Sequence, residues 1–234
     1  SAYGTSHRMT TNPPQDVIFD FDGVLADSAP LIVEILDSTI QRLTGKEVAR
    51  ADLLATVGPP FAQAVQALCD KYGVGTDDSN VVEIVHEFRS EYWKRSATET
   101  VPFSGIPEAL DSLATFARLS VCSSKPLPLV ESILATWGIA DRFSDIEAPS
   151  PDVTEPKALG LRRLIVRMHA HRDASTLVGD TRFDVRAAQE VGVGFIGVAW
   201  GIESPDDLRS LGAATIVDSP LALASAVSRS ARLA

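Results

Sequence analysis

One stretch constrains the fold of this chain more than any other: residues 17–25, with the sequence VIFDFDGVL. It begins with three apolar residues, a pattern typical of a short strand that is buried on both faces. Two carboxylates, Asp20 and Asp22, follow at alternate positions. A buried strand that ends in two acids is costly unless a cation or hydrogen-bond donors lie beside them. Because open α/β folds bind ligands at the carboxyl ends of their strands, the stretch predicts a binding site in such a fold.

The composition limits the classes of function that are open to the chain. With 234 residues, of which 45% are hydrophobic and 22% are charged, it suits one globular domain or one domain with an insertion. The net charge of −10 argues against binding to nucleic acid or to an anionic membrane. An anionic substrate stays open, because a bound divalent cation reverses the local field. Two distant cysteines, Cys69 and Cys122, fit neither a disulfide framework nor a zinc site, so we expect a cytoplasmic protein.

The first half of the chain contains a long helical block. Residues 1–14 are small and polar, and we expect a disordered tail or a cloning remnant there. Residues 29–98 show helical periodicity without strand-like alternation, which predicts an all-helical segment. Asp27, which stands shortly before Pro30, is expected to cap its first helix. The expected helices cover residues 31–43, 60–71 and 78–95.

After Pro102, helices alternate with strands, which predicts a parallel sheet covered by helices on both faces. Together with the first strand, the expected strands cover residues 17–19, 119–122, 145–148, 175–178, 195–199 and 215–217. The expected helices cover residues 107–117, 127–137, 157–169, 183–190 and 221–232. The sequence therefore predicts an α/β core, residues 15–28 and 99–234, with an inserted helical cap, residues 29–98.

Three further polar stretches stand at or just beyond predicted strand or loop ends. Residues 121–126, VCSSKP, carry a strand into small hydroxyl side chains. Lys157 stands at the start of a predicted helix, after a proline-rich segment. Residues 178–184, VGDTRFD, carry another strand into two aspartates. Since the carboxyl ends of parallel strands share one edge of a sheet, these stretches are expected to converge with Asp20 and Asp22.

Each of these residues also has a structural explanation when it is taken alone. Ser123 fits the cap of the helix that follows its strand. Lys157 fits a solvated lysine at a helix start, because lysines are mostly surface residues. Asp180, which follows a glycine, fits a helix N-cap, and Asp184 fits an exposed residue of that helix. Only their joint occurrence, in this order along the chain, favours a functional site.

In order and in spacing, the four stretches resemble the four motifs of the haloacid dehalogenase-like (HAD) hydrolases, whose phosphatase members carry DxDGxL in the first. The resemblance covers roughly residues 16–232, and the helical insertion falls where this family carries its C1-type caps. It implies a three-layer Rossmann-type α/β core with a parallel sheet and a helical cap. Within the family, the chain is most similar to the phosphoglycolate phosphatase and β-phosphoglucomutase-like subgroup.

The resemblance implies Mg²⁺-dependent hydrolysis of a small phosphomonoester. Asp20 would be the nucleophile and would form an aspartyl phosphate. Asp22 would be the general acid for the leaving group and then the base for the attacking water. Mg²⁺ would be bound by Asp20, by the backbone carbonyl of Asp22 and by Asp180, and all-oxygen ligands suit this ion.

The resemblance also assigns the phosphate-binding groups. Ser123 and the backbone amide of Ser124 would hold phosphate oxygens, and Lys157 would neutralise their charge. Asp184 would hold either a metal-bound water or Lys157. One departure concerns Lys157, which many relatives follow with proline and which alanine follows here.

The substrate is not identified by these motifs. The cap residues expected to contact the leaving group are Arg89, Tyr92, Lys94 and the loop 57–60, and phosphoglycolate, sugar phosphates and nucleotides all stay open. The alternatives are a β-phosphoglucomutase-like phosphoryl transferase and a non-catalytic ligand-binding or regulatory module. The expected partner is a small phosphorylated metabolite, without nucleic acid or membrane, and the expected assembly is a monomer or a homodimer.

Overall fold

A six-stranded parallel sheet forms the centre of the fold. The computed structural model describes residues 15–74, 78–151 and 153–230. In chain order the strands are β1 (Gln15–Phe19), β2 (Ala26–Asp27), β3 (Val101–Pro102), β4 (Ala117–Cys122), β5 (Asp145–Glu147), β6 (Ser175–Gly179), β7 (Gly194–Val198) and β8 (Ile216–Val217). The helices are α1 (Ala29–Thr44), α2 (Arg50–Leu54), α3 (Phe61–Tyr72), α4 (Asp78–Glu99), α5 (Ile106–Ala114), α6 (Leu127–Trp137), α7 (Lys157–Arg167), α8 (Arg182–Val191), α9 (Pro205–Ser210) and α10 (Leu223–Ser230).

The strand order of the large sheet is β5-β4-β1-β6-β7-β8, and every neighbouring pair is parallel. β1 therefore lies between β4 and β6. Its last residue, Phe19, stands opposite Val121 of β4 and Val178 of β6. Because these three strands end at the same level, the residues that follow them meet at one edge of the sheet.

Side chains of β1 alternate between the two faces of the sheet, as expected for an extended chain. Val17 and Phe19 pack into a core with residues of α5, α6 and α10. Ile18 packs on the opposite face with residues of α7 and α8. All three side chains are fully buried. The layers confirm the predicted α/β fold class, in which helices cover both faces of a parallel sheet.

Helices α1 to α4 share a second hydrophobic core. Its fully buried members come from three of these helices and include Ile35, Leu36, Val65 and Ile84. Leu129 of α6 also packs into this core, so the helical block rests on the sheet layer. The expected helices at 31–43, 60–71 and 78–95 correspond to α1, α3 and α4, whereas α2 was not predicted. The boundaries of the inserted cap at residues 29 and 98 stay a prediction.

The expected cap of the first helix is wrong. Asp27 belongs to β2, where it pairs with Val101 of the antiparallel partner β3. Helix α1 begins at Ala29 with Ser28 at its N-cap position, and no side chain caps it. The two-stranded ribbon of β2 and β3 pairs the segments through which the chain leaves the sheet layer and returns to it. This pairing engages the backbone of Asp27 in a strand and leaves the residue outside the first turn of α1.

The tail predicted at 1–14 and the last residues of the helix predicted to end at 232 lie outside the described residues. Helix α9 was not predicted from the sequence. Among the helices that the structure describes, none is both long and apolar enough to cross a membrane.

Candidate active site

Asp20 extends the pairing of β1 by one residue. Its backbone amide donates to the carbonyl of Val178 at 2.9 Å, which fixes the carboxylate at the end of the central strand. Oδ1 of Asp20 accepts a hydrogen bond from the amide of Phe21 at 2.7 Å. The residue is 8% exposed, so this carboxylate lies almost out of contact with water. Local backbone geometry thus orients the acid that the sequence places first.

A tight turn follows Asp20 and carries Asp22. The carbonyl of Phe21 accepts hydrogen bonds from the amides of Leu25 at 3.0 Å and Ala26 at 2.9 Å. Gly23 has a φ of 80°, in the left-handed region that favours glycine. A Cβ atom at this position would lie 2.0 Å from Oδ2 of Asp180. The glycine of the first motif is therefore needed both for the turn and for the close approach of Asp180.

Asp180 follows β6 and is fully buried. Its Oδ2 atom accepts a hydrogen bond from the amide of Ile202 at 2.8 Å. A Cβ atom on Gly201 would lie 2.2 Å from Cβ of Asp180, so the loop after β7 approaches as closely as glycine permits. Sequence reasoning missed Gly201. The signal that was available is a glycine shortly after a strand that ends at the same edge of the sheet.

Lys157 joins two of the acids. Its Nζ atom lies 2.7 Å from Oδ1 of Asp20 and forms a second ion pair with Oδ1 of Asp184. Oδ2 of Asp184 accepts hydrogen bonds from the amide of Thr181 at 3.0 Å and from its hydroxyl at 2.7 Å. Both oxygens of Asp184 are therefore engaged, and Thr181 is a further contact that sequence reasoning missed.

Asp22 is held by groups that were not predicted. The hydroxyl of Ser28 donates to Oδ1 of Asp22 at 2.6 Å. Nζ of Lys125 lies 3.2 Å from the same oxygen and donates to the hydroxyl of Tyr92 at 2.8 Å. Lys125 directly follows Ser123 and Ser124, so its position in the second stretch was the available signal. Its contact with α4 depends on tertiary packing, which no local pattern shows.

The second stretch forms a small loop at the end of β4. The amide of Ser123 donates to the carbonyl of Glu147 in β5 at 2.9 Å. The hydroxyl of Ser123 accepts a hydrogen bond from the amide of Lys125 at 3.0 Å, and the residue is buried. Ser124 is exposed to the cavity above. The loop thus offers a hydroxyl and a solvent-facing segment of backbone beside Asp20.

Burial is the largest effect on the pKa values of Asp20, Asp180 and Lys157. It raises the pKa of Asp20, and Asp184 raises it further against the lowering effect of Lys157, to about 7. Burial, Asp184 and Asp20 hold the pKa of Asp180 well above its usual range. Burial lowers the pKa of Lys157, but the carboxylates of Asp184 and Asp20 raise it by more, so its ammonium stays charged.

The residues fit a hard divalent cation. Carboxylate oxygens of Asp20, Asp180 and Asp184 all lie within 4.8 Å of one another. Oδ1 of Asp180 is buried and has no hydrogen-bond partner among the described residues. When ionised, the three carboxylates face a single ammonium, that of Lys157, so the cluster carries excess negative charge. Oxygen donors without nitrogen or sulfur suit Mg²⁺ or Ca²⁺ better than zinc.

A cavity of about 830 Å³ opens above these residues. The predicted site residues that line it are Asp20, Asp22, Ser123, Ser124 and Lys157. Asp180 and Asp184 are fully buried and do not line it, but each places a carboxylate oxygen within 4.8 Å of one on Asp20. Helices α3 and α4 and the loop 56–60 contribute the opposite wall. The structure therefore brings the predicted residues to one place, while their individual roles stay predictions.

Comparison with known proteins agrees with the geometry. A sequence model of the family described as haloacid dehalogenase-like hydrolase matches residues 17–198. The chain is 31% identical over 205 residues to a tyrosine-protein kinase PtkA of Mycobacterium tuberculosis, covering 85% of this chain and 68% of the relative. It is 28% identical over 211 residues to a phosphoglycolate phosphatase of Rhodospirillum rubrum, covering 88% and 87%. The crystal structure of a predicted phosphatase from Clostridium acetobutylicum matches with a TM-score of 0.81 and 26% identity, covering 93% of this chain and 99% of that one.

Proposed function

We propose that this chain, which belongs to the haloacid dehalogenase-like hydrolase family, hydrolyses a small phosphomonoester through an aspartyl phosphate on Asp20. The observation that carries the proposal is the contact of buried Asp20 with Lys157, beside the acids Asp180 and Asp184. A relative that is named a phosphoglycolate phosphatase supports this reaction class. Phosphoglycolate itself is one member of the substrate class that we test below.

In the first step, a carboxylate oxygen of Asp20 attacks phosphorus and the bond to the leaving oxygen breaks. Asp22 gives its proton to that oxygen, so the product leaves as an alcohol. Ser28 and Lys125 both contact Oδ1 of Asp22, and these contacts fix the direction in which the acid faces the cavity. The step conserves charge and atoms, because the phosphoryl group moves from the alcohol oxygen to Asp20.

In the second step, water attacks the aspartyl phosphate and Asp22 accepts a proton from it. The carboxylate of Asp20 is released together with inorganic phosphate. Because a carboxylate is a weak nucleophile and a good leaving group, both steps depend on positioning and on neutralisation of the phosphoryl charge. The near-complete burial of Asp20 strengthens each of these electrostatic contacts.

The phosphoryl oxygens are bound by Ser123, by the backbone amide of Ser124 and by Lys157. Ser123 is buried and fixed by its contacts within the loop, so its hydroxyl is already oriented. Lys157 is held between Asp20 and Asp184, which places its ammonium beside the nucleophile. Charge-assisted hydrogen bonds of this kind are the strong ones in anion recognition.

Mg²⁺ would be held by Asp20, by Asp180 and by the backbone carbonyl of Asp22. Oδ1 of Asp180 supports this assignment, because it is buried without a partner among the described residues. Asp184 acts instead as a positioning residue, since Lys157 and Thr181 engage both of its oxygens. When bound, the ion supplies neutralisation of the phosphoryl charge.

Phosphate release from a panel of phosphomonoesters, with and without Mg²⁺, tests this proposal. We expect Asp20→Asn to lower kcat more than about a thousandfold, because the amide cannot act as a nucleophile. Asp206→Asn is the matched control, since its side chain is 94% exposed on α9. Metal-independent release, or release that Asp20→Asn leaves intact, would contradict the proposal.

A second candidate is transfer of the phosphoryl group to an acceptor other than water. The observation that favours it is the 31% identity to a protein named a tyrosine-protein kinase. Asp20 and Asp22 would keep the same roles, with the hydroxyl of the acceptor in place of water. Transfer is distinguished from hydrolysis when labelled phosphate moves to an added alcohol, sugar phosphate or tyrosine peptide faster than it appears as free phosphate.

A further inference from the structure

The cavity above Asp20 is much larger than the phosphoryl group requires. Its volume of about 830 Å³ lies in the range of roughly 300–1,000 Å³ that is typical of pockets for drug-sized ligands. The sheet edge contributes its polar floor, and α3, α4 and the loop 56–60 form the wall beyond. The space beyond the floor is where the leaving group of a phosphomonoester must lie.

One face of helix α4 is directed into this space. His86, Arg89 and Trp93 follow one another at intervals of three and four residues, which places them on one side of a helix. All three line the cavity and all three are exposed. Trp93 has 40% of its surface exposed. An exposed indole at a cavity wall offers a flat apolar surface that a ring of the ligand can cover.

Aromatic side chains continue the wall next to Trp93. The ring of Phe61 from α3 lies 4.2 Å from the ring of Phe88, measured between centroids. Phe88 in turn stacks on Tyr92 at 5.4 Å with an angle of 13° between the ring planes. All four aromatic residues line the same cavity, and we call Phe61, Phe88, Tyr92 and Trp93 the aromatic wall.

Two of the three lysine and arginine side chains that line the cavity, Lys125 and Lys157, lie at its floor. Lys157 is engaged by Asp20 and Asp184, and Lys125 is engaged by Asp22. Among the described lining residues, Arg89 is the one further lysine or arginine. The remaining wall is largely apolar and includes Val57, Pro59 and Pro60. Away from Arg89, the carboxylate of a small acidic leaving group would lie against this apolar surface without a partner, which is unfavourable.

We infer that the preferred substrate is a phosphomonoester whose leaving group carries a planar aromatic or heteroaromatic ring, and that this ring lies against the aromatic wall. This inference rests on the proposed function, because the phosphoryl group defines which end of the substrate faces Asp20. Two sources share the chemistry: a nucleoside monophosphate and an aryl phosphate such as phosphotyrosine. Arg89 stands on the same face of α4 as Trp93 and suits the polar edge of such a ring.

The inference can be tested with two substrates of which only one carries a ring system in place of a hydroxyl group on the sugar. Adenosine monophosphate and ribose 5-phosphate share the sugar and the phosphate ester, and only the first carries a base. We expect kcat/KM to be about tenfold or more higher for adenosine monophosphate, since stacking of one base is worth about that factor. Phosphotyrosine is measured beside them, and the better of the two ring-bearing substrates identifies the source. A preference for ribose 5-phosphate or phosphoglycolate would overturn the inference.

Substitutions in the aromatic wall provide the second part of the test. Trp93→Ala is expected to lower the ratio of kcat/KM between adenosine monophosphate and ribose 5-phosphate about tenfold. Trp93→Phe keeps a ring and should restore most of this ratio. Val82→Ala is the control, because Val82 is 66% exposed on the same helix and does not line the cavity. An unchanged ratio in Trp93→Ala would contradict the inference.

Binding measured without turnover separates this inference from the proposed function. In Asp20→Asn with Mg²⁺ present, calorimetry is expected to show tighter binding of adenosine monophosphate or phosphotyrosine than of ribose 5-phosphate. If the wild type releases no phosphate but this order of binding holds, the phosphatase proposal fails and the ring site stands. If phosphate is released but ring-bearing ligands bind no more tightly, the ring site fails and the phosphatase proposal stands.

Discussion

Asp180 owes its position to residues that carry no chemistry themselves. Gly23 and Gly201 approach it from two loops, and a Cβ atom on either would overlap its side chain. Ile202 then holds one carboxylate oxygen and leaves the other without a partner among the described residues. The position of Asp180 therefore depends on two glycines whose backbone lies close to its side chain because they have no Cβ atom.

Gly201→Ala tests this dependence. The new methyl group would collide with Asp180 and displace its carboxylate, so we expect Mg²⁺ affinity to fall about tenfold to a hundredfold. Titration of the ion, followed by calorimetry, measures the change. Gly45→Ala is the control, because its Cβ atom would meet nothing within 4 Å, although its φ of 69° makes the substitution strained. An unchanged Mg²⁺ affinity in Gly201→Ala would show that Gly201 does not position Asp180.

The raised pKa of Asp20 makes a prediction about pH. Burial and Asp184 raise this pKa to about 7 in the folded chain, above the ordinary value of 3.8. A raised acid pKa favours the folded state below the unfolded pKa, and this contribution is lost as pH rises through about 7. Without a divalent cation, the melting temperature should therefore fall as pH rises from about 5 to about 8.

Mg²⁺ should reverse this trend, because it binds the ionised carboxylates. We expect the stabilisation by Mg²⁺ to grow with pH over the same interval, as measured by thermal unfolding with and without the ion. Asp20→Asn removes one of the two buried acids with a raised pKa and should weaken the dependence, while Asp180 keeps the other part of it. A Mg²⁺ effect that is equal at low and high pH would contradict the assigned position of the ion.

The elements of the core follow closely from local patterns. The predicted helix at 127–137 matches α6, and Gly138 ends it in the left-handed conformation. β1 and β6 each contain a short run of buried apolar residues, and β4 ends in one, so a strand could be predicted at each place. Strands β2 and β3, by contrast, have two residues each, and helix α2 has five residues and no side-chain cap. Such elements depend on tertiary contacts and have little local signal.

Helix α9 has a recognisable start in its sequence, a serine followed by a proline, although periodicity does not detect the helix. Ser204 accepts a hydrogen bond from the amide of Asp207 at 3.2 Å, and Pro205 occupies the first turn. A serine before a proline is a common helix start. Its length of six residues gives too few apolar positions to establish a period, which is why periodicity alone did not find it.

The hydrogen bond between Lys125 and Tyr92 joins α4 to the loop after β4, and a substitution can test what it contributes. Tyr92→Phe removes the hydroxyl that accepts from buried Lys125 and keeps the ring of the aromatic wall. We expect the free energy of unfolding to fall by about 1 kcal/mol, since buried Lys125 loses one hydrogen-bond partner and keeps Asp22. We also expect kcat to fall roughly threefold to tenfold, because α4 is held less firmly over Asp22.

Tyr72→Phe is the matched control for this substitution. The hydroxyl of Tyr72 contacts the amide of Ala49 at 2.9 Å and Asp52 at 2.6 Å, all within the helical block. It should lower stability without changing kcat. If both variants change kcat equally, or neither does, the bond between Tyr92 and Lys125 does not couple α4 to the site.

At the scale of the whole molecule, the fold explains why residues far apart in sequence form one site. The central position of β1 places Asp20 between the ends of β4 and β6, and parallel strands bring every motif to one edge. This convergence could be predicted, because the carboxyl ends of parallel strands share one edge and the four motifs resemble those of a known family. The contacts of Ser28, Lys125 and Tyr92 could not, because they depend on how the helical block packs on the sheet layer.

The net charge of −10 affects the binding of an anionic substrate. An anionic substrate approaches a chain that repels it, and the excess carboxylates of the site add to this repulsion. A divalent cation at Asp20 and Asp180 would reverse the local field at the floor of the cavity. Binding of phosphate analogues is therefore expected to depend on the ion as strongly as turnover does.

The most direct test of the central claim is chemical identification of the phosphorylated residue. The enzyme is mixed with radiolabelled substrate, the best phosphomonoester of the panel, quenched in acid during turnover, and digested. We predict a phosphoryl label on the peptide that contains Asp20, stable in acid and released by hydroxylamine, and absent from Asp20→Asn. A label on another residue, or turnover without a label on the protein, would contradict the account.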